Sequence, residues 1–145
     1  MSGHRDATSG QLILPELRPG QALWRGTVTA LVLVFPAAIL NQLVVDGADG
    51  DGIPPAAFFF WLLILLGGAA GGWAVIRLSN AAPLSYAAGA AALSYVIPQT
   101  IGVVRRLLAD EPVSWLGYPL LALLMATVGM LGGMLARRWQ RPPGS

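Results

Sequence analysis

Four stretches of this 145-residue chain, 26–45, 52–76, 78–104 and 112–136, contain no Asp, Glu, Lys or Arg. They are 20, 25, 27 and 25 residues long, and a helix needs about 20 apolar residues to cross a hydrocarbon layer of about 30 Å. The first two each hold eleven Leu, Ile, Val or Phe residues, which gives each run roughly 3–6 kcal/mol of insertion free energy. Only 11% of the chain is charged, against about a quarter in soluble domains. The expected fold is all-α, an integral membrane four-helix bundle with helices at about 26–45, 54–77, 82–104 and 114–137. On this reading 24–139 is one membrane domain, flanked by a flexible tail, 1–23, and a short tail, 140–145.

Orientation follows from arginine placement, because cytoplasmic loops near spans are enriched in basic residues. All nine basic residues are Arg. Four spans put Arg5, Arg18, Arg25, Arg77, Arg137, Arg138 and Arg141 on one side and only Arg105 and Arg106 on the other. Both termini are therefore expected in the cytoplasm, with the chain a multi-pass protein of a bacterial plasma membrane. Trp24, Trp73, Tyr86 and Trp139 fall near the inner boundary, and Trp115 and Tyr118 near the outer one, as amphipathic rings do at headgroup level. The first run is expected to act as an uncleaved signal anchor, since Asn41, Gln42 and an Asp-rich loop follow it where a small-residue cleavage site would stand.

Small residues recur at helical spacing. The second span has the pairs Gly67/Gly71 and Gly68/Gly72; the third has Ala81, Ser85, Ala88, Ala92, Tyr95 and Gln99; the fourth has Ala122, Ala126, Gly129, Gly133 and Ala136. Lipid is as apolar as Leu, so helices associate where small residues let backbones approach. Packing seams are expected at Gly68, Gly72, Ala88, Ala92, Gly129 and Gly133, with the third, least apolar span in the centre. The pattern G-x-x-G-G-x-x-x-x-R occurs at 68–77 and again at 129–138, and Pro36 and Pro98 stand 62 apart. This reads either as two hairpins related as parallel repeats or as a by-product of a Gly-, Ala- and Leu-rich composition.

Pro36 and Pro98 lie inside spans, where each lacks an N–H and crowds the carbonyl four residues back, so both are expected to kink their helices. Just beyond them come Asn41 and Gln42 in the first span and Gln99 and Thr100 in the third. An amide in hydrocarbon costs several kcal/mol unless it is hydrogen-bonded, so these side chains are expected to face inward. They either frame a polar cleft between the first and third helices or pair with one another and lock the bundle.

Lipid-phosphate contacts are expected at Arg77, Arg105, Arg106, Arg137 and Arg138. The loop Asp46-Gly-Ala-Asp49-Gly-Asp51-Gly52 is acidic, but its carboxylates fall at positions 1, 4 and 6 and Ala57 occupies position 12, which is not the spacing of a calcium-binding loop. With no Cys and a single His, His4, thiol chemistry, disulfides and thiolate metal sites are excluded. No ionisable group that a proton-coupled pump or voltage sensor would need lies within a span. No catalytic residue, cofactor, metal or nucleic-acid partner is expected.

The stretch Gly67–Arg77 is superficially similar to the Gly-rich run ending in Arg of fluoride channels, but it lies in a different helix. The embedded Glu of small multidrug transporters and the Cys pair of vitamin K-type quinone reductases have no counterpart, so the chain is assigned to no family. The favoured expectation is a small accessory, structural or assembly subunit acting through helix–helix contacts, by self-association or with a larger membrane partner. The alternative is an autonomous channel, carrier or lipid-binding protein using the cleft.

Overall fold

The computed structural model describes residues 16–48, 52–110, 112–113 and 115–140. They form four helices and no strand: α1, Pro19–Asp46; α2, Pro55–Leu78; α3, Leu84–Leu108; and α4, Gly117–Gln140. All four are long and apolar enough to cross a membrane, as a multi-pass membrane protein requires. Their boundaries differ from the charge-free runs because loss of water and loss of helix are different events. Arg25, Arg77, Arg105, Arg106, Arg137 and Arg138 all sit inside helices, where the backbone stays hydrogen-bonded while a long side chain reaches the interface.

Proline opens the first two helices. Pro19 and Pro55 occupy the first helical positions, where a missing N–H costs nothing and a fixed φ is already helical. The helix therefore takes in residues 19–23, which the sequence reading assigned to a flexible tail; residues 1–15 of that tail lie outside the described residues. The three residues before α1 are also held: the Leu17 N–H donates to the Leu78 carbonyl at 3.3 Å. Both α1 and α3 run unbroken through Pro36 and Pro98.

The third span is central, as expected, but it shares that place with the second. Helices α2 and α3 each touch the other three, while α1 and α4 do not meet among the described residues. Helix α2 carries eight buried residues against five in α3. The reason is its doubled glycine pairs, which bare the backbone on two faces about 100° apart. A Cβ on Gly71 would lie 2.6 Å from the Ala30 Cβ and 2.9 Å from the Gly26 carbonyl oxygen of α1. On the adjoining face, a Cβ on Gly72 would strike the Gly129 carbonyl oxygen of α4, and one on Gly132 would strike that of Ala69. Such contacts leave room for hydrogen only, so α2 is seated against α1 and α4 backbone to backbone.

In α3 the seam is displaced by one residue from the one expected. Ala87 and Ala91 are fully buried, whereas Ala88 and Ala92 are only partly so. A Cβ on Gly129 would lie 2.5 Å from that of Ala91 and 2.7 Å from the Ala87 carbonyl oxygen. Gly68, Gly72, Gly129 and Gly133 are buried as their spacing predicts.

The repeat glycines thus meet one another across the α2–α4 interface, but the hairpins are not arranged as a symmetric pair. A two-fold axis along the bundle exchanging them would make α4 touch α1 as α2 touches α3; among the described residues the first contact is absent and the second present.

The end bearing Glu16, the α2–α3 connection and Gln140, hereafter the terminal end, is tightly knitted. Glu16 Oε1 accepts hydrogen bonds from the backbone N–H groups of Asn80, at 2.6 Å, and Ala81, at 3.2 Å. From the other side, Arg137 Nη2 donates to the Ala82 carbonyl at 2.8 Å, and Gln140 Nε2 donates to that of Ile76 at 3.5 Å. The opposite, distal end has no such network of side-chain bonds among the described residues, and the two cavities described below lie there.

Candidate functional site

Pro36 and Pro98 mark the helices that bound the principal cavity. It opens between the distal halves of α1 and α3 and has a volume of about 480 Å³. Helix α1 supplies Phe35, Ala38, Ile39, Gln42 and Asp46, which recur at the spacing of a single helix face. Helix α3 supplies Pro98, Gln99, Ile101, Gly102, Arg105 and Arg106. At 1.5 Å per residue, the lining runs about 16 Å along α1, from Phe35 to Asp46, and about 12 Å along α3. One leaflet of hydrocarbon is about 15 Å deep, so the cleft is about as long as a leaflet is deep.

Its chemistry changes along that depth. The deep part is mainly apolar, with Phe35, Ala38, Ile39, Pro98 and Ile101, and Gln99 is its one polar side chain. Gly102 leaves the middle open, because a Cβ placed there would meet nothing within 4 Å. The distal rim is charged on both walls, with Asp46 on α1 and Arg105 and Arg106 on α3. The Gln42 Nε2 donates to Asp46 Oδ1 at 2.9 Å, an i,i+4 pair that orients the carboxylate. The arrangement matches an amphiphile whose polar head lies at the interface and whose apolar body follows the helices inward.

Of the four residues expected to frame a cleft, the fold brings two together there, Gln42 and Gln99. Thr100 lies on the far side of α3, in a second cavity of about 350 Å³ shared with α4, where Tyr95, Trp115, Tyr118 and Pro119 line it and Gln99 borders both spaces. The Asn41 side chain lines neither. Consecutive helical residues point about 100° apart, and that step turns Asn41 and Thr100 away from the cleft that Gln42 and Gln99 line. Nor do the hydrogen bonds described for these side chains lock helix to helix. Gln42 bonds to Asp46, Thr100 Oγ1 donates to the Val96 carbonyl at 2.8 Å, and Asn41 Oδ1 is buried without a partner.

The arginines divide by role. Arg105 and Arg106 belong to the cleft. At the terminal end Arg77 stacks over the Trp73 ring, 4.9 Å from its centroid, while Arg137 holds the α2–α3 connection and Arg138 is exposed. Asp46, read from sequence as part of an acidic turn, is a cleft residue; Asp49 and Asp51 lie outside the described residues. The second, aromatic cavity had no counterpart in the sequence reading. Its signal was the helical spacing of Tyr95, Gln99 and Thr100 facing Tyr118 and Ala122, which is visible only once α3 and α4 are known to be neighbours.

Comparison of the chain with protein-family models, with curated proteins and with solved structures finds no match.

Proposed function

We propose that this chain is a bacterial plasma-membrane protein, with both termini cytoplasmic, that takes an amphiphilic lipid sideways from the bilayer into the cleft between α1 and α3. The observation that carries this reading is the gradient within the cleft: a rim of Asp46, Arg105 and Arg106 above a floor of Phe35, Ile39 and Ile101, over a length close to the depth of one leaflet. Ligand cavities are commonly about 300–1,000 Å³, a range that takes in this cleft's volume of about 480 Å³. The excess of arginine at the terminal end supports the cytoplasmic assignment; on that assignment the cleft belongs to the outer leaflet. Of the two functions read from sequence, the cleft favours lipid binding; assembly through exposed helix faces is the competing outcome.

The test is mass spectrometry of the full-length protein isolated gently from its own membranes, beside a Gly102→Leu variant. A Cβ at Gly102, which lines the cleft, would meet nothing within 4 Å, so the larger side chain is expected to occupy the cleft rather than push on a neighbouring helix. The wild type retains a stoichiometric lipid through detergent exchange, and the variant loses it at an unchanged melting temperature. Equal retention by both proteins overturns the reading. Recovery of a stoichiometric protein partner with no retained lipid establishes the assembly role in its place. A C-terminal reporter active only outside the cytoplasm overturns the orientation.

A further inference from the structure

The two walls of the cleft carry opposite charge, in each case near the distal end of the helix. The last turn of α1 brings Asp46, its carboxylate held at Oδ1 by Gln42, and the last turn of α3 brings Arg105 and Arg106. A simple anion satisfies only the arginine wall and leaves the Asp46 carboxylate facing like charge. A headgroup bearing both a phosphate and a primary ammonium satisfies both walls. Arginine suits the phosphate because its planar fork donates in pairs. The second oxygen of Asp46 remains to accept from an N–H donor, which a primary ammonium has and a trimethylammonium lacks.

Resting on the lipid-binding reading, we propose that the cleft selects a zwitterionic amino-phospholipid of the phosphatidylethanolamine type, with its phosphate on Arg105 and Arg106, its ammonium on Asp46, and one acyl chain along Phe35, Ile39 and Ile101. Gly102 gives the glycerol region room to approach the α3 backbone. Gln42 is a positioning residue: it fixes the carboxylate that reads the ammonium.

The experiment uses the full-length protein, delipidated by detergent exchange and offered an equimolar mixture of phosphatidylethanolamine, phosphatidylglycerol and phosphatidylcholine with identical acyl chains, the retained lipid being read by native mass spectrometry. Wild type retains the ethanolamine lipid over the other two by about fivefold, equivalent to about 1 kcal/mol. Asp46→Asn, an exposed and nearly isosteric change, lowers retention of the ethanolamine lipid to the level of phosphatidylglycerol, so that the preference is lost. Arg105→Gln together with Arg106→Gln lowers retention of all three; should that pair fail to fold, Asp46→Asn alone decides. Wild type holding the three lipids equally, or Asp46→Asn keeping the preference, overturns the headgroup assignment and leaves lipid binding standing. No retention of any lipid overturns both. Soluble phosphoethanolamine displacing the lipid at equal concentration would overturn the lipid as the source of the headgroup.

Discussion

Gly72 of α2 lies directly beneath the carbonyl oxygen of Gly129 in α4, with no space between them for a methyl group. The same relationship is repeated in reverse one turn along, where Gly132 of α4 lies under the carbonyl of Ala69 in α2. Each helix thus presents a hydrogen-only face to a backbone oxygen of the other. In lipid, where hiding leucine gains nothing, such close approach and the dispersion contacts it allows hold the helices together.

Substitution of Gly72 by Ala is therefore expected to force α2 and α4 apart, because the obstacle is backbone and cannot rotate away. The loss is about 1–3 kcal/mol, the usual cost of overpacking. Gly68→Ala is the internal control. Its Cβ would meet the Met125 Cε at 2.7 Å, the free end of a flexible thioether that can move, so the loss is smaller. Thermal unfolding in detergent ranks the two, and equal melting temperatures would refute the backbone-to-backbone contact.

The spans were legible because charge is nearly absent from hydrocarbon, which makes four uncharged runs an unambiguous sign. The ends of the helices were not, since Arg25 or Arg105 can leave the hydrocarbon while its backbone stays helical. The seam on α3 slipped by one residue because Ala87, Ala88, Ala90, Ala91 and Ala92 are all small. The positions of Gly129 and Gly133 on α4 select Ala87 and Ala91 among them. For the cleft, Gln42, Gln99 and the arginines were visible as unusual residues. Asp46 was not, because its role depends on α3 lying beside α1, a tertiary fact that no local spacing encodes.

Glu16 ties the segment before α1 to the α2–α3 connection through two backbone N–H groups. Glu16→Ala removes the oxygen that accepts both bonds from an exposed site, where water replaces part of the loss, so the expected cost is about 0.5–1.5 kcal/mol. Faster hydrogen exchange at the Asn80 and Ala81 amides, with the helix centres unchanged, checks it. Unaltered exchange at those two amides would count against the contact.

Asp110 follows the end of α3 with φ of 54°, the one non-glycine residue in the left-handed region among those described. An αL residue commonly terminates a helix, and glycine takes that conformation without a Cβ penalty. Asp110→Gly is expected to stabilise the protein by about 0.5–1 kcal/mol, read as a raised melting temperature. A lower melting temperature would show that the Asp110 side chain contributes a contact outweighing the backbone strain.

Asn41 and Gln99 separate structural polarity from functional polarity. Asn41 Oδ1 is buried without a partner and lines neither cavity, so its desolvation is uncompensated. Leucine of similar size removes that penalty, and Asn41→Leu is expected to be neutral or to stabilise by up to about 1–3 kcal/mol, with lipid retention unchanged. Gln99 borders both cavities, and Gln99→Leu is expected to alter lipid retention while moving the melting temperature little. Two measurements on each variant, unfolding in detergent and retained lipid, give opposite patterns if this division holds. Destabilisation by Asn41→Leu with retention intact would instead make that amide part of the glue of the bundle. An effect of Asn41→Leu on retention would bring it back into the site, from which helical geometry separates it by one residue.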